Sequence, residues 1–213
     1  MQKKINEDLK KGQALFGGSF DPIHCGHMAI AQAVLDLEFI NEVIFIPNAV
    51  SPLKPHNPLA SDANRKEMLV SAIEGINGFS LDDDELKRGG ISYTIDTVER
   101  YRESSDIDLY FILGADQFHQ LLNWHNVKTL IKEVKFLVYP RKGYPTETAP
   151  VISSKVIDYE VLNLPYWDMS STKIRKLCME GESIEHFVPS SVKDFIEKHQ
   201  ICLLYTSPSP RDS

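Results

Sequence analysis

The sequence predicts an α/β fold in which helices cover both faces of a doubly wound parallel sheet. The chain has 213 residues, which suits one domain and is long enough to bury a sizeable core. Short apolar runs alternate with longer amphipathic segments along most of its length. This strand–helix alternation implies right-handed crossovers and a parallel sheet, an arrangement called Rossmann-like. Because ligands bind beyond the carboxyl ends of the strands in such sheets, polar residues at those ends carry the most weight.

The strands are predicted from the apolar runs ALF, EVIFIP, DLYFILG and EVKFLVYP, which are typical of short buried strands. These runs lie at 14–16, 42–47, 108–114 and 133–140, and a weaker strand, KVIDYEVL, follows at 155–162. Helical patterns lie at 26–38, 62–76, 94–104, 116–131, 171–180 and 190–199. Turn and cap residues mark several of their limits: Asp21-Pro22 before the first helix, Thr94 at the third, Ser170 or Ser171 before the fifth, and Gly181 after it.

Composition limits the classes of function. Apolar residues make up 42% of the chain and charged residues 25%, which is ordinary for a globular protein. The net charge of −7 argues against general affinity for nucleic acid. No apolar run approaches the roughly 20 residues of a membrane helix, and the N-terminus lacks the apolar middle of a signal peptide. Three widely spaced cysteines, Cys25, Cys178 and Cys202, form no CxxC pair, which favours reduced thiols and a cytoplasmic location.

The end of the chain differs from the rest. From Leu203 the sequence LLYTSPSPRDS is rich in Ser and Pro and has no periodicity. We therefore expect a single domain over residues 1–201 and a disordered or non-native tail over 202–213.

The stretch LFGGSFDPIHCGHMAI, residues 15–30, concentrates unusual residues where the first strand gives way to a helix. Gly17 and Gly18 allow positive φ and let a ligand approach the backbone closely. A helix that begins near Gly26 offers free N–H groups and partial positive charge, a ready anion site. His24 and His27, three residues apart, can point together at such an anion. Three readings remain open here: phosphate binding, a glycine-rich turn with His24 as a cap and His27 packed on the sheet, and metal binding by the two imidazoles.

Neither common phosphate-loop pattern is present, since the chain contains no GxxxxGK[ST] and no GxGxxG. Instead, GGSFDPIHCGH resembles the nucleotidyltransferase signature GxFxPxHxGH, which is long and mixed enough that chance matches are rare. The resemblance implies that His24 and His27 hold the ATP phosphates and stabilise charge during adenylyl transfer. It also implies an ATP-binding role for the segment that contains Gly17, Gly18, Ser19 and Phe20.

A second segment, DMSSTKIRKLCMEGES at 168–183, places cations at the start of a helix. Lys173 and Arg175 there oppose the helix dipole by roughly 0.3–1 kcal/mol each, a penalty that a polyphosphate would reverse. The alternative is a capped amphipathic helix with solvated basic residues. MSSTKIR is similar to the second signature of the same superfamily, ISSTxIR, with Met169 as a conservative apolar replacement. That similarity implies that Ser171, Thr172 and Arg175 bind the β- and γ-phosphates.

Three more segments bear on the acceptor. IPNAVSPLKP at 46–55 contains Asn48 and Lys54. ELKRGGISYTIDTVE at 85–99 ends a strand and then reaches Thr94. FILGADQFHQLLNWHN at 111–126 contains Asp116, Trp124 and His125. Taken singly, the lysine is compatible with a solvated position, the threonine and Asp116 with helix caps, and Trp124 with a core position.

Together with RKGYP at 141–145, these segments resemble the bacterial nicotinate-nucleotide adenylyltransferases over about residues 12–201. The resemblance implies that Trp124 stacks on the pyridine ring and that backbone N–H groups near Thr94, Trp124 and His125 hold the nicotinate carboxylate. It implies that Asn48 and Lys54 help to hold the mononucleotide. Asp116 would bind nucleotide hydroxyls or help to place a metal.

The implied reaction joins ATP and nicotinate mononucleotide, with Mg²⁺ on the ATP phosphates and His24, His27 and Arg175 as the catalytic residues. No side chain is assigned as a direct metal ligand. The alternatives are nicotinamide mononucleotide as acceptor, a phosphopantetheine-using relative, a non-catalytic nucleotide-binding module and a metal-dependent hydrolase. Small-molecule substrates, no nucleic acid and no membrane partner are expected, and the sequence is compatible with a homo-oligomer.

Overall fold

The computed structural model describes residues 12–53, 56–146, 150–152, 155–165 and 169–201. Within them, a parallel sheet of six strands forms the centre of the molecule. The strands, in chain order, are β1 Gly12–Gly18, β2 Ile40–Pro47, β3 Phe79–Leu81, β4 Leu109–Gly114, β5 Lys135–Tyr139, β6 Val151–Ile152, β7 Lys155–Val156 and β8 Tyr159–Val161. The sheet order is β3-β2-β1-β4-β5-β8, and β6 and β7 form a separate antiparallel pair.

Helices cover both faces of the sheet, as predicted. They are α1 Cys25–Leu35, α2 Asp62–Ile73, α3 Asp84–Arg88, α4 Thr94–Ser104, α5 Ala115–His119, α6 Val127–Glu133, α7 Ser171–Glu180 and α8 Ser190–Lys198, with a short 3₁₀ helix at Leu121–Asn123. One core contains Phe16 and Phe45 of the sheet with buried residues of α1, α2, α7 and α8. The other contains Leu15 and Phe111 with buried residues of α4, α5 and α6. Neighbouring positions of β1 thus belong to opposite cores, because successive side chains of a strand point to opposite faces.

The sheet order creates a crevice at the carboxyl ends of β1 and β4. β1 pairs with β2 on one side and with β4 on the other, both in parallel. The chain therefore builds outward from β1 in one direction and then reverses, which is the topological switch point at which open sheets bind ligands. Among the described residues, no helix is long and apolar enough to cross a membrane.

The predicted α/β class is confirmed, and several boundaries are corrected. The helices predicted at 94–104 and 171–180 have the predicted limits. The single helix predicted at 116–131 is wrong, because the chain breaks it into α5, the 3₁₀ helix and α6. Trp124 is extended at the break, and Asn126 has a left-handed φ of 49°.

Short elements account for the other differences. The strand predicted at 155–162 splits into β7, which pairs with β6, and β8, which joins the sheet beside β5. β3 has three residues and α3 has five, too few to give a clear period in the sequence. The segment 85–99, predicted to end a strand, instead begins within α3.

Candidate active site

The two signature segments meet in one cavity of about 740 Å³ at the carboxyl ends of the central strands. The glycines at the end of β1 and the two histidines at the start of α1 line it from the first segment. The first turns of α7 line it from the second. The lining residues that the sequence singled out are Gly17, Gly18, Ser19, Phe20, His24, His27, Asp116, Ser171, Thr172 and Arg175.

His24 and His27 form a reciprocal cap at the N-terminus of α1. The His27 backbone N–H donates to Nδ1 of His24 at 3.2 Å, and the His24 backbone N–H donates to Nδ1 of His27 at 3.3 Å. The rings stack with centroids 3.6 Å apart and an interplanar angle of 17°. Since Nδ1 of each ring accepts a backbone proton, each neutral imidazole carries its own proton on Nε2. The capping reading and the phosphate reading are therefore compatible, because the caps use Nδ1 of each ring and not Nε2.

His24 is held in its neutral form. It is only 3% exposed, and this burial, followed by the positive charge of Arg141, lowers its pKa from 6.5 to about 3, although a backbone hydrogen bond opposes the shift. An anion that arrived in the cavity would meet a neutral hydrogen-bond donor at His24. The cationic charge beside it comes from arginines.

Direct hydrogen bonds join the second segment to the first. The Ser171 hydroxyl donates to the Pro22 carbonyl at 2.9 Å. Nη1 of Arg175 donates to the Asp21 carbonyl at 2.7 Å, and Nη2 donates to the Thr172 hydroxyl at 3.2 Å. The guanidinium is thus fixed at the mouth of the glycine-rich turn and faces the same cavity as the imidazoles.

Met169 does more than replace an apolar residue. The backbone N–H of Gly26, in the first turn of α1, donates to the Met169 sulfur at 3.2 Å. A branched aliphatic side chain has no atom that could accept this bond. Ser170 then caps α7 by accepting the Lys173 N–H at 3.2 Å. Lys173 itself lies over the Phe187 ring, 5.7 Å from its centroid.

Close packing, and not a positive φ, explains why residues 17 and 18 are glycines. Both belong to β1, and the left-handed residue of this turn is Phe20, with φ of 46°. A Cβ on Gly17 would lie 3.2 Å from the Phe111 ring, and one on Gly18 would lie 3.0 Å from the Phe20 ring. The Phe20 ring in turn packs edge-on against His27, with centroids 5.0 Å apart.

A second cavity of about 290 Å³ adjoins the first, and the two share Gly17, Gly18, Ser19 and Gln117. Asn48, Thr94, Trp124 and His125 line it, as do Glu85 and Phe111. The Trp124 ring packs edge-on against Phe111, with centroids 5.7 Å apart. Nε1 of Trp124 and Oδ1 of Asn48 are buried and have no hydrogen-bond partner among the described residues.

The second cavity also contains the N-terminus of α4. Thr94 was expected to cap this helix but is its first residue; Tyr93 occupies the cap position and makes no side-chain cap. The first backbone N–H groups of a helix have no partner within the helix, so that of Thr94, which lines the cavity, can donate to a ligand. His125 lies against Tyr93, with ring centroids 4.3 Å apart.

Asp116 and Arg141 approach each other on the wall of the larger cavity. Asp116 follows β4 directly, and its Oδ1 lies 3.7 Å from Nε of Arg141. Nη2 of Arg141 donates to the Tyr139 hydroxyl at 3.2 Å. RKGYP contributed to the family resemblance, but no role was predicted for Arg141. Its position at the end of a predicted strand is the signal that could have identified it as a site residue.

A family model described as cytidylyltransferase-like matches residues 15–177. The chain belongs to the cytidylyltransferase-like family. It is 37% identical over 196 residues to a probable nicotinate-nucleotide adenylyltransferase of Clostridium tetani. The alignment covers 89% of this chain and 98% of the relative. It is also 37% identical over 197 residues to a protein of the same name from Clostridium acetobutylicum, covering 90% and 98%. These relatives confirm the resemblance that the sequence segments predicted.

Solved structures share the fold of this cytidylyltransferase-like chain. A Plasmodium falciparum nicotinic acid mononucleotide adenylyltransferase complexed with NaAD aligns with a TM-score of 0.73 at 21% identity, covering 92% of this chain and 100% of that one. The same protein complexed with APC aligns with a TM-score of 0.72 at 20% identity, with the same coverage. At these identities the likeness concerns the fold alone.

The cytidylyltransferase-like fold brings together nearly all the residues that the sequence singled out. The predicted ATP group lines the larger cavity, and Asn48, Thr94, Trp124 and His125 line the smaller one. Lys54 lies outside the described residues, as does the tail predicted at 202–213. Sequence reasoning missed Arg141 and Glu85, both of which line these cavities.

Proposed function

We propose that this chain transfers the adenylyl group of ATP to nicotinate mononucleotide, giving nicotinate adenine dinucleotide and pyrophosphate, in NAD biosynthesis. One observation carries the proposal: a cavity lined by hydrogen-bond donors and cations shares a wall with a smaller cavity that contains an aromatic ring and a free helix N-terminus. Two substrates held in these cavities would meet at Gly17–Ser19. The names of the curated relatives support the same activity.

The larger cavity suits the triphosphate of ATP. Three hydrogen-bond donors belong to residues that line it: Nε2–H of His24, Nε2–H of His27 and the guanidinium of Arg175. Thr172 adds a hydroxyl from the first turn of α7, and Ser171, whose hydroxyl donates to the Pro22 carbonyl, lies beside it in the lining. Because these donors are fixed by the caps and hydrogen bonds around them, they need little reorganisation when charge develops on the phosphates.

The smaller cavity suits the pyridine end of the mononucleotide. The Trp124 ring offers an apolar face to a flat heterocycle. The N–H groups at the start of α4 suit a carboxylate through hydrogen bonding and the helix dipole. Asn48 lines this cavity, and its Oδ1, which has no hydrogen-bond partner among the described residues, can accept a ribose hydroxyl. A phosphate contact from Lys54 stays a prediction.

The chemistry requires positioning more than acid–base catalysis. A phosphate oxygen of the mononucleotide attacks the α-phosphorus of ATP, the new P–O bond forms, and the bond from that phosphorus to the β-phosphate oxygen breaks. The leaving pyrophosphate carries the electron pair. A phosphate monoester has a second pKa of about 6, so the nucleophile is already ionised near neutral pH and no general base is needed. The enzyme must hold two anions in line and offset their repulsion.

Mg²⁺ fits the larger cavity through substrate oxygens and one carboxylate. The described residues contain no cluster of three or more His, Cys, Asp or Glu that could hold a metal ion. Asp116, whose buried Oδ1 has no hydrogen-bond partner among them, is the carboxylate that would contact it. Mg²⁺ usually keeps several waters and binds through one or two carboxylates plus phosphates, where it neutralises phosphate charge.

The test is pyrophosphate release from ATP with nicotinate mononucleotide or nicotinamide mononucleotide as acceptor. We expect product from the acid, and a loss of about 10²–10³ in kcat for His27→Ala, because one fixed transition-state donor is removed. His186→Ala, an exposed histidine outside both cavities, is the matched control and should retain wild-type turnover. No product from either acceptor would refute the proposed function, and near-normal turnover by His27→Ala would remove that residue from the mechanism.

A further inference from the structure

A buried carboxylate lies beside the carboxylate site of the smaller cavity. Glu85 is 6% exposed and lines the same cavity as Thr94 and Trp124. No step of the proposed reaction uses it. The nicotinate group that this cavity would bind is itself an anion, so the two negative charges would share a small, partly apolar space.

Hydrogen bonds fix Glu85 against the first turn of α4. The Thr97 hydroxyl donates to Oε1 of Glu85 at 2.6 Å. Thr97 is three residues after Thr94, and residues three apart are neighbours on a helix surface. On the other side of the turn, Ser92 hydrogen-bonds with Glu85 and also accepts the Ala49 N–H at 3.0 Å. The carboxylate is thus held next to the N–H groups that we assign to the substrate.

An ionised Glu85 would compete with the substrate for one positive region. A helix N-terminus attracts negative charge within about its first turn, and a resident carboxylate there already uses part of that attraction. It would also repel a second carboxylate directly, and in a cavity shielded from water this repulsion is stronger than at the surface. A neutral carboxamide would experience neither effect.

We infer that Glu85 is a specificity-determining residue that limits the preference of this site for an acid over an amide mononucleotide. The inference rests on the proposed function for the identity of the substrates. It implies that the charge of this one side chain lowers the ratio of acid to amide affinity in the cavity.

Other charged groups around Glu85 modify this effect. Burial raises the pKa of Glu85, and the hydroxyl hydrogen bonds from Thr97 and Ser92 partly oppose the shift. Arg88 of the same helix also lowers this pKa, whereas Asp82 raises it. Among the described residues, Tyr93 and His125 are the titratable groups that line the cavity from the other elements.

The experiment measures the dissociation constants of nicotinate mononucleotide and nicotinamide mononucleotide by calorimetry, for the wild type and for Glu85→Gln. We expect the variant to favour the acid over the amide by about tenfold more than the wild type does. Glu99→Gln is the matched control: it removes the same charge from an exposed position of α4 and should leave the ratio unchanged. An unchanged ratio in Glu85→Gln, or an equal weakening of both ligands, would overturn the inference.

A measurement on the wild type alone covers the case in which the variant does not fold. As the pH rises through the raised pKa of Glu85, the carboxylate ionises, so the preference for the acid should fall. The ratio of the two constants cancels the titration of the 5′-phosphate, which both ligands share. A ratio that stays flat from pH 4.5, the ordinary pKa of Glu85, up to the highest pH at which the protein remains folded would also overturn the inference. Because binding is measured without catalysis, the result is independent of the pyrophosphate assay: absence of turnover refutes the proposed function, and a wrong ratio refutes the role of Glu85.

Discussion

Arg175 lies in the second signature segment and is hydrogen-bonded to the first. It lies on α7, but its Nη1 donates to the Asp21 carbonyl at 2.7 Å and is 3.6 Å from Oδ2 of Asp21. A hydrogen bond between an ionised donor and a carbonyl is stronger than a neutral one, so this bond fixes the guanidinium before ATP arrives. The residue therefore has a positioned charge at the place where the leaving pyrophosphate would form.

Arg175→Ala should weaken the contacts of ATP and pyrophosphate while the fold remains. We expect the KM for ATP and the inhibition constant of pyrophosphate each to rise by about tenfold or more, since one charge-assisted hydrogen bond contributes about 1.5–3 kcal/mol. Steady-state kinetics with product inhibition checks both values. Lys176→Ala, the next residue on the exposed side of α7, should change neither. Unchanged constants in Arg175→Ala would exclude it from phosphate binding.

For single residues, the sequence predicted which ones belong to the site better than it predicted their hydrogen bonds. His24 and His27 were identified because GGSFDPIHCGH resembles a nucleotidyltransferase signature, and the residue pattern alone left a capping role open. The reciprocal Nδ1 caps that set their tautomer depend on backbone positions that no residue pattern specifies. Likewise, the hydrogen bond from Gly26 to the Met169 sulfur appears only when two distant segments meet.

The break between α5 and α6 determines where Trp124 and His125 lie in the smaller cavity. A continuous helix over 116–131 would have turned Trp124 and His125 away from extended positions. Asn126 instead adopts φ of 49°, and the Thr129 hydroxyl donates to its side-chain oxygen at 3.0 Å. Asparagine tolerates this left-handed conformation better than most residues. The amphipathic period continues across the break, which explains why the sequence predicted one helix.

Replacement of Asn126 should separate backbone strain from side-chain chemistry. Asn126→Val should lower the free energy of unfolding by about 1–2 kcal/mol, because a β-branched residue is strained at positive φ. Asn126→Gly should cost less than 1 kcal/mol, since glycine adopts this conformation freely and only the bond from Thr129 is lost. Urea denaturation measures both. If valine and glycine had the same effect, the left-handed backbone would not be the reason for the asparagine.

The longer elements were predicted because their periods extend over several turns or over a fully buried strand. α4 and α7 have the expected limits, and β1, β2, β4 and β5 lie where apolar runs predicted them. β3 and α3 were missed because sheet pairing and packing stabilise them more than their own short sequences do. Glu85 belongs to α3, so missing that element also meant missing the residue.

The arrangement of the whole molecule explains how segments far apart in sequence form one cavity. The Ser171 hydroxyl and the Pro22 carbonyl are 149 positions apart, yet they are hydrogen-bonded. The sheet places β1 at its centre, and the crossovers bring later elements back to the same edge. Strand–helix alternation and the two family signatures together predicted this convergence, whereas the division into two adjoining cavities depends on where the helix after β4 breaks.

The burial of a neutral histidine at this convergence makes the stability of the whole molecule depend on pH. His24 has a pKa of about 3 in the folded protein and an ordinary value of 6.5 when unfolded. Above pH 6.5 both states are neutral there and nothing is lost; below it the unfolded state binds a proton that the folded state does not, so stability falls as the pH drops toward 3. The loss approaches about 1.4 kcal/mol per pH unit for this one group. The lowered pKa of Asp82 acts in the same direction, but only nearer its ordinary value of 3.8.

His24→Asn should remove this dependence while it keeps a helix cap, because asparagine is a good N-cap and does not titrate. We expect urea denaturation of the wild type to lose stability between pH 6 and pH 5 by about 1 kcal/mol more than the variant does. His199→Asn, an exposed histidine, is the control and should follow the wild type. Parallel curves for wild type and His24→Asn would mean that His24 accepts a proton in the folded state and that the cavity binds phosphate with an imidazolium. A steeper wild-type curve would instead place a neutral donor at the site, with the arginines as its source of positive charge.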